Sequence, residues 1–363
     1  MKVGTRTVAN NAGKLKSLPF GKIVACIAIV AFMVMMLIKP DYYLDSARRG
    51  LSLYATSVLP SLFPFYFFSL LLTYIGSAKA ISAVFQKPVK LLYNAPKESA
   101  YVLLLSMLSG YPVGASMTAE LYGAGIITSK EAKAIASFAS TSGPIFMLGT
   151  VGSAIFGDIR VGVIVLVSHY LAALLNGLIF RVNDKQNMIL RKRRRSKRVD
   201  INTDNDADTK VSVTAPDVVI MSQQDVDSVM SRTIANATLS MLYVGGYIVI
   251  CGMLVDTLTL FHLDSLIVLA LGEKAGLPIV ALIEGLIEMT RGSIACTKCL
   301  SPNVSVALCA GIISFGGLSV MLQNYTFLSK CKIKFSEIAV RKIFQSVIAF
   351  LIAFGISFAV KNW

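Results

Sequence analysis

Ser109-Gly110-Tyr111-Pro112-Val113-Gly114 interrupts an apolar run that is too short to cross a bilayer. The arm before it, Ala100 to Leu108, has nine residues, and the arm after it ends at about Gly125. A helix that crosses the hydrocarbon core needs about 20 residues. Two short arms around a Gly/Pro apex therefore predict a re-entrant hairpin. Lipid cannot satisfy the backbone groups freed at such an apex, so it must be buried in protein or line a cavity.

The apex has a counterpart 178 residues downstream, where Met289-Thr290-Arg291-Gly292 aligns with Tyr111-Pro112-Val113-Gly114. Leu62-Phe63-Pro64 aligns with Leu242-Tyr243-Val244 at a shift of 180, and Ser142-Gly143-Pro144 with Phe315-Gly316-Gly317 at 173. A shift that drifts this slowly reads as a duplication with small deletions. Paired hydrophobic segments broken by Gly or Pro at matching places in two halves point to a transporter binding site.

Composition sets the class. The mean hydropathy is +0.67 and 55% of the 363 residues are hydrophobic, which places the chain among polytopic membrane proteins. The net charge of +15 sits between apolar spans rather than on a soluble module, so no nucleic-acid partner is expected. No catalytic triad, HExxH, P-loop or dinucleotide fingerprint is present, and the chain is not expected to be an enzyme. Cys296-Thr297-Lys298-Cys299 stands without a second CxxC, so no metal or cofactor is expected.

Residues 1–50 read as a basic N-terminus followed by an uncleaved signal-anchor helix, Ile23 to Ile38. Residues 51–181 form the first repeat. Its second span, Leu51 to Tyr74, carries Pro60 and Pro64, which predict a kink or break. An interfacial stretch, the hairpin, a helix starting at Thr128-Ser129-Lys130-Glu131 and broken at Ser140–Pro144, and a clean span from Val161 to Phe180 follow. The charged stretch 182–231 cannot pack a core and reads as a disordered connector. Residues 232–363 repeat the plan, with a span near Thr233–Leu254 and a hairpin near Leu277–Leu300 turning at Arg291-Gly292. A broken helix from about Val304 to Leu328 and a last span from Ile343 to Val360 complete it.

Seven crossings then put 27 of the 35 Lys and Arg residues inside and 8 outside. That bias predicts a multi-pass cell-membrane protein with a cytoplasmic N-terminus and an outside C-terminus. Three crossings per repeat make the second copy inverted relative to the first. The expected fold is an all-α polytopic membrane protein with two inverted repeats, each holding a re-entrant helical hairpin and a broken transmembrane helix.

Within that frame, Glu284 and Glu288 lie four apart with Arg291 three further on, so all three share a helical face. A charge at membrane depth costs about 2.5–3.5 kcal/mol and usually marks a solute or ion path. Either these carboxylates couple transport to Na⁺ or H⁺, or Glu288 neutralises Arg291, or the arm lies near the interface. Glu120, in the second arm of the first hairpin, is a candidate opposing partner. Ser140, Thr141 and Ser142 concentrate hydroxyls where the Gly143-Pro144 break frees backbone groups. Half-helix N-termini there suit an anionic group and freed carbonyls a cation. The alternative is a kink whose hydroxyls cap their own backbone. Tyr111 and Gly114 at the first apex, with Gly316 and Gly317 at the second break, complete the expected substrate site. Asn176, Asn236, Gln323, Asn324 and His169 read as interhelical hydrogen-bonding residues.

Three stretches carry a family resemblance. They are Ser109 to Ala115, Ser142-Gly143-Pro144-Ile145-Phe146-Met147-Leu148-Gly149-Thr150-Val151-Gly152, and Glu288-Met289-Thr290-Arg291-Gly292, with Ser168-His169-Tyr170-Leu171 adding to them. Together they resemble the Gate, or nucleoside-recognition, domain family and its sporulation integral membrane proteins. The resemblance implies a spore-forming bacterial source, a role in spore cortex formation, and distant kinship with concentrative nucleoside transporters and ferrous-iron transporters. The expected function is a transporter or permease for a small polar solute, with the lipid bilayer as its setting and a homo-oligomer left open. A non-transporting scaffold that recruits sporulation partners through the connector is the alternative.

Overall fold

The computed structural model describes residues 20–75, 78–182 and 223–360, and the described residues hold helices and no strand. Two compact units divide between Ser46 and Ala47. The first contains α1 (Phe20–Ile38), long and apolar enough to cross a membrane, and the start of α2 (Pro40–Leu53). The second contains everything below.

α2 runs through a π-helical turn, Tyr54–Val58, into α3 (Leu59–Tyr74). Pro60 sits in the first turn of α3 and accounts for that turn. Proline has no N–H to donate, and its ring crowds the carbonyl four residues earlier; a wider turn absorbs both. α4 (Ala78–Tyr93) leads to the hairpin α5 (Ser99–Ser109) and α6 (Val113–Gly123). Each arm has 11 residues. At about 1.5 Å per residue that is roughly half of a ~30 Å hydrocarbon core. Each arm is too short to cross alone.

α7 (Ser129–Phe138) starts at the expected capping box, with the Thr128 hydroxyl accepting from the Glu131 N–H and the Glu131 carboxylate accepting from the Thr128 N–H. Thr128→Ala should therefore cost about 1 kcal/mol, read as a lower melting temperature of the purified protein. After Phe138 the chain leaves the helix, and it resumes at Pro144 into a π-helical segment, Phe146–Ile155. α8 (Ile159–Ile179) closes the first half. Ile159, Val163, Val167, Leu171 and Leu175 form an exposed apolar stripe at four-residue spacing, while Ser168, His169 and Asn176 are buried. Apolar outside and polar inside is the pattern a lipid-facing helix requires, because its buried polar groups need protein partners.

The second half repeats this element order. α9 (Gln223–Leu260) is followed by α10 (Leu263–Ile287), α11 (Met289–Cys296), α12 (Pro302–Phe315), α13 (Gly317–Leu328) and α14 (Phe335–Ala359). Residues 183–222 of the expected connector lie outside the described residues. The helix α9 already begins at Gln223, inside that connector, because extending an existing helix costs far less than nucleating one. Gly272 (φ 72°, ψ 162°) divides α10 into a peripheral piece and the first hairpin arm.

Among the described residues, seven helical runs are long and apolar enough to cross a membrane. Six of them correspond to expected crossings and the seventh does not. Leu263–Ile287 qualifies because its length spans the Gly272 break, whereas each half of the first broken helix is too short alone. The last helix begins at Phe335 rather than Ile343, so Arg341 and Lys342 belong to it and not to the preceding loop. Lys342 is 2% exposed and leaves the expected inside-loop charge count.

Candidate functional site

Each hairpin tip abuts the break in the broken helix of its own half. At the first tip, Gly110 has φ +81°, and a Cβ there would lie 2.5 Å from the Gly143 nitrogen. At the second break, Gly317 has φ +67°, and a Cβ there would lie 2.9 Å from the Gly285 carbonyl oxygen and 3.1 Å from that of Ile287. No residue with a side chain fits either contact without strain.

The second tip falls one turn earlier than the sequence suggests. Glu288 is extended (φ −140°, ψ 116°) and caps α11, its carboxylate accepting from the Arg291 N–H at 2.8 Å. Arg291-Gly292 is therefore helical. The three residues expected on one helical face are separated by this break. The Arg291 guanidinium donates instead to Asp256 at 2.5 Å, and Asp256 also accepts from Arg49 at 2.9 Å.

Between the breaks lies a buried polar centre. Because the Ser142 backbone N–H can only donate, His169 Nε2 accepts it, at 2.8 Å. The ring proton is then on Nδ1, which reaches Ser314 Oγ at 2.8 Å. His169 thus ties the first break to the last turn of α12, before the second break. Lys342 spans the same gap. Its ammonium donates to Tyr111 Oη at 2.7 Å, the Ser140 carbonyl at 2.8 Å, the Ser314 carbonyl at 3.1 Å and Gln345 Oε1 at 3.1 Å. Asn324 reaches Ser140 Oγ at 3.3 Å, the Thr141 hydroxyl pairs with Ser106 at 2.9 Å, and the Tyr170 hydroxyl donates to the Met107 carbonyl.

A cavity of about 20 Å³, room for roughly one water, sits beside this network. Both tips and both broken helices line it, through Tyr111, Ser142, Glu288, Thr290, Ser319 and Gln323, and Val58 and Val244 close it from α3's preceding π turn and α9. Ser319 is fully buried, and its hydroxyl has no hydrogen-bond partner among the described residues. A buried hydroxyl left unmade costs about 1–3 kcal/mol, so this one is an acceptor or donor in waiting.

Of the expected substrate residues, Tyr111 and Ser142 face this cavity. Ser140 and Thr141 are committed to the network behind it. Gly114 packs on the Ala139 carbonyl, Gly143 on the first tip and Pro144 opens the second half-helix, so these three shape backbone. Gly316 ends α12 in the left-handed region, and Gly317 meets the second tip. Of the expected ion-coupling residues only Glu288 reaches the cavity. Glu284 is half-buried in a separate open groove of about 390 Å³ with Asp264 and Lys298. Glu120 lies exposed near the end of α6, in electrostatic range of Arg232 and Lys330, and does not line this cavity. Asn176 and Asn236 bond Ser137 and Tyr74 across helices, as read from sequence.

The sequence reading missed Lys342, Gln345, Ser314 and Ser319. A signal existed for the first two. Lys342, Gln345, Ala349, Ala353 and Ser357 recur every three to four residues and are all buried on α14, a stripe too polar and small for a lipid face.

No family model matches the chain, and no solved structure matches it. The chain is 26% identical over 321 residues to the sporulation integral membrane protein YlbJ of Bacillus subtilis (strain 168), an alignment covering 85% of this chain and 76% of that protein. That likeness, with an all-helical fold and seven membrane-length apolar runs among the described residues, supports reading the chain as a multi-pass membrane protein that is similar in sequence to YlbJ.

Proposed function

We propose that the chain is a transporter or permease for a small polar solute that acts in sporulation, moving its solute without altering it. The observation that carries this reading is the convergence of two hairpin tips and two broken helices on one cavity with a waiting hydroxyl. Transporters built from inverted repeats place substrate at such a junction. The sporulation role rests on the name of the related protein. The repeats would be inverted, with the N-terminus cytoplasmic, the C-terminus outside and the cell membrane as location, as the charge bias predicts. The cavity has room for about one water, so in this reading the structure would be a closed state between two open ones. Ser142, Ser319 and Gln323 would bind the solute, and Glu288 would couple its movement to a proton or Na⁺.

The test is a thermal-stability screen of the purified protein against nucleosides, amino acids, phosphosugars and divalent metals. A ligand at 100 times its dissociation constant adds about 2.7 kcal/mol to the folded state. A hit that Ser319→Val abolishes is the expected result. A blank across the panel from folded protein, together with failure of a variant lacking residues 199–222, would favour the scaffold role instead.

A further inference from the structure

The buried cation at the centre has no use in the transport scheme above, and its surroundings give it one. The Lys342 ammonium is surrounded by four oxygens at 2.7–3.1 Å, more than its three N–H groups can serve singly. It also lies 4.5 Å from the centroid of the Tyr111 ring. None of these oxygens belongs to a carboxylate, although buried lysines are normally paired with one. Two are main-chain carbonyls, from Ser140, just past the end of α7, and Ser314, in the last turn of α12. Each such helix end presents carbonyls without a helical partner and about half a negative charge. Two half-helix C-termini converging with a side-chain amide oxygen and a phenol form the oxygen cage that broken-helix carriers offer to an inorganic cation.

We propose that the Lys342 ammonium is a tethered cation that permanently fills this carbonyl site, so that the centre closes without bound Na⁺ or K⁺. The position of Lys342 on α14 makes the point mechanical as well as electrostatic. The ammonium joins the first break, the second break and the first hairpin tip to a single helix. Separating the halves pulls carbonyls off a charge that cannot diffuse away, which holds the centre shut until solute offers replacement contacts. The cation cage stands on geometry alone. Its consequences, that the centre stays shut until solute binds and that ion coupling falls to Glu288 rather than to the helix breaks, rest on the transport reading.

The experiment is a cation titration of the purified full-length protein without solute, at constant ionic strength, comparing NaCl, KCl and ethylammonium chloride with choline chloride. The wild type should melt at the same temperature in potassium, ethylammonium and choline chloride, and any effect of Na⁺ should vanish in Glu288→Gln. Lys342→Ala, which empties the cage, should melt lower in choline and recover at least half of the loss in ethylammonium or K⁺. A specific K⁺ stabilisation of the wild type, or a Na⁺ stabilisation that persists in Glu288→Gln, would overturn the proposal. So would a folded Lys342→Ala protein that responds equally to all four salts. If Lys342→Ala does not fold, Lys342→Met serves as the neutral, similarly sized variant and is expected to show the same cation-selective recovery, though smaller. Because no solute is present, these outcomes are independent of whether the ligand screen succeeds.

Discussion

Gly114→Val is expected to remove most of the folded protein, and Gly114→Ala to lower its stability severely. Gly114 lies in the first turn of α6, where a Cβ would come 1.8 Å from the Ala139 carbonyl oxygen and 2.8 Å from Ser106 Oγ. The first of these is backbone and cannot rotate away. Moving it would disturb the bond by which the Ala139 N–H closes α7 on the Ile135 carbonyl, and the adjacent Ser140 carbonyl that holds Lys342. Ordinary overpacking costs about 1–3 kcal/mol, and a sub-van der Waals contact against fixed backbone should exceed that range. The control is Gly123→Ala at the other end of the same helix, where a Cβ meets nothing within 4 Å. That change should be neutral, or stabilising by up to about 1 kcal/mol through helix propensity. Size-exclusion profiles in detergent and melting temperatures would check both. A Gly114→Val protein that elutes and melts like the wild type would show that the tip does not seat on the break as described.

What the sequence disclosed here follows from which forces are local. The short arms of the first hairpin, the Thr128–Glu131 cap and the break at Ser140–Pro144 are set by residues within a few positions of one another, and all were legible. The second tip was misplaced by one turn because Arg291-Gly292 reads as a breaker in isolation. Only the Glu288 carboxylate on the Arg291 N–H shows that the helix has already restarted there. Lys342 was hidden for the opposite reason. Beside Arg341 and after Lys330, Lys332 and Lys334 it looks like one more loop cation, and its partners lie 28, 202 and 231 residues away except for Gln345. The Asp256 partner of Arg291 is similarly remote, 35 residues back on α9. Periodicity finds the element that bears a polar residue. It does not find what the residue touches.

The largest functional loss short of unfolding is expected from His169→Phe. Phenylalanine keeps a ring of similar bulk but offers neither an acceptor to the Ser142 N–H nor a partner to the Ser314 hydroxyl. Ser142 is 2% exposed and Ser314 fully buried, so water cannot take over either bond. Each buried group left unmade costs about 1–3 kcal/mol, which makes a total loss of roughly 2–6 kcal/mol the expected range. Part of that loss should appear at the cavity, because Ser142 is both the anchored residue and a wall of the site. A ligand that stabilises the wild type should therefore stabilise His169→Phe less, even after correction for its lower starting stability. His169→Gln separates hydrogen bonding from shape. Its amide oxygen can accept from the Ser142 N–H while its NH₂ donates to Ser314 Oγ, so it should recover a large part of both losses. If Phe and Gln variants fall equally, the ring's shape matters and the two bonds do not. If both match the wild type, His169 does not hold the two breaks together, and the halves of the centre must be joined by Lys342 alone.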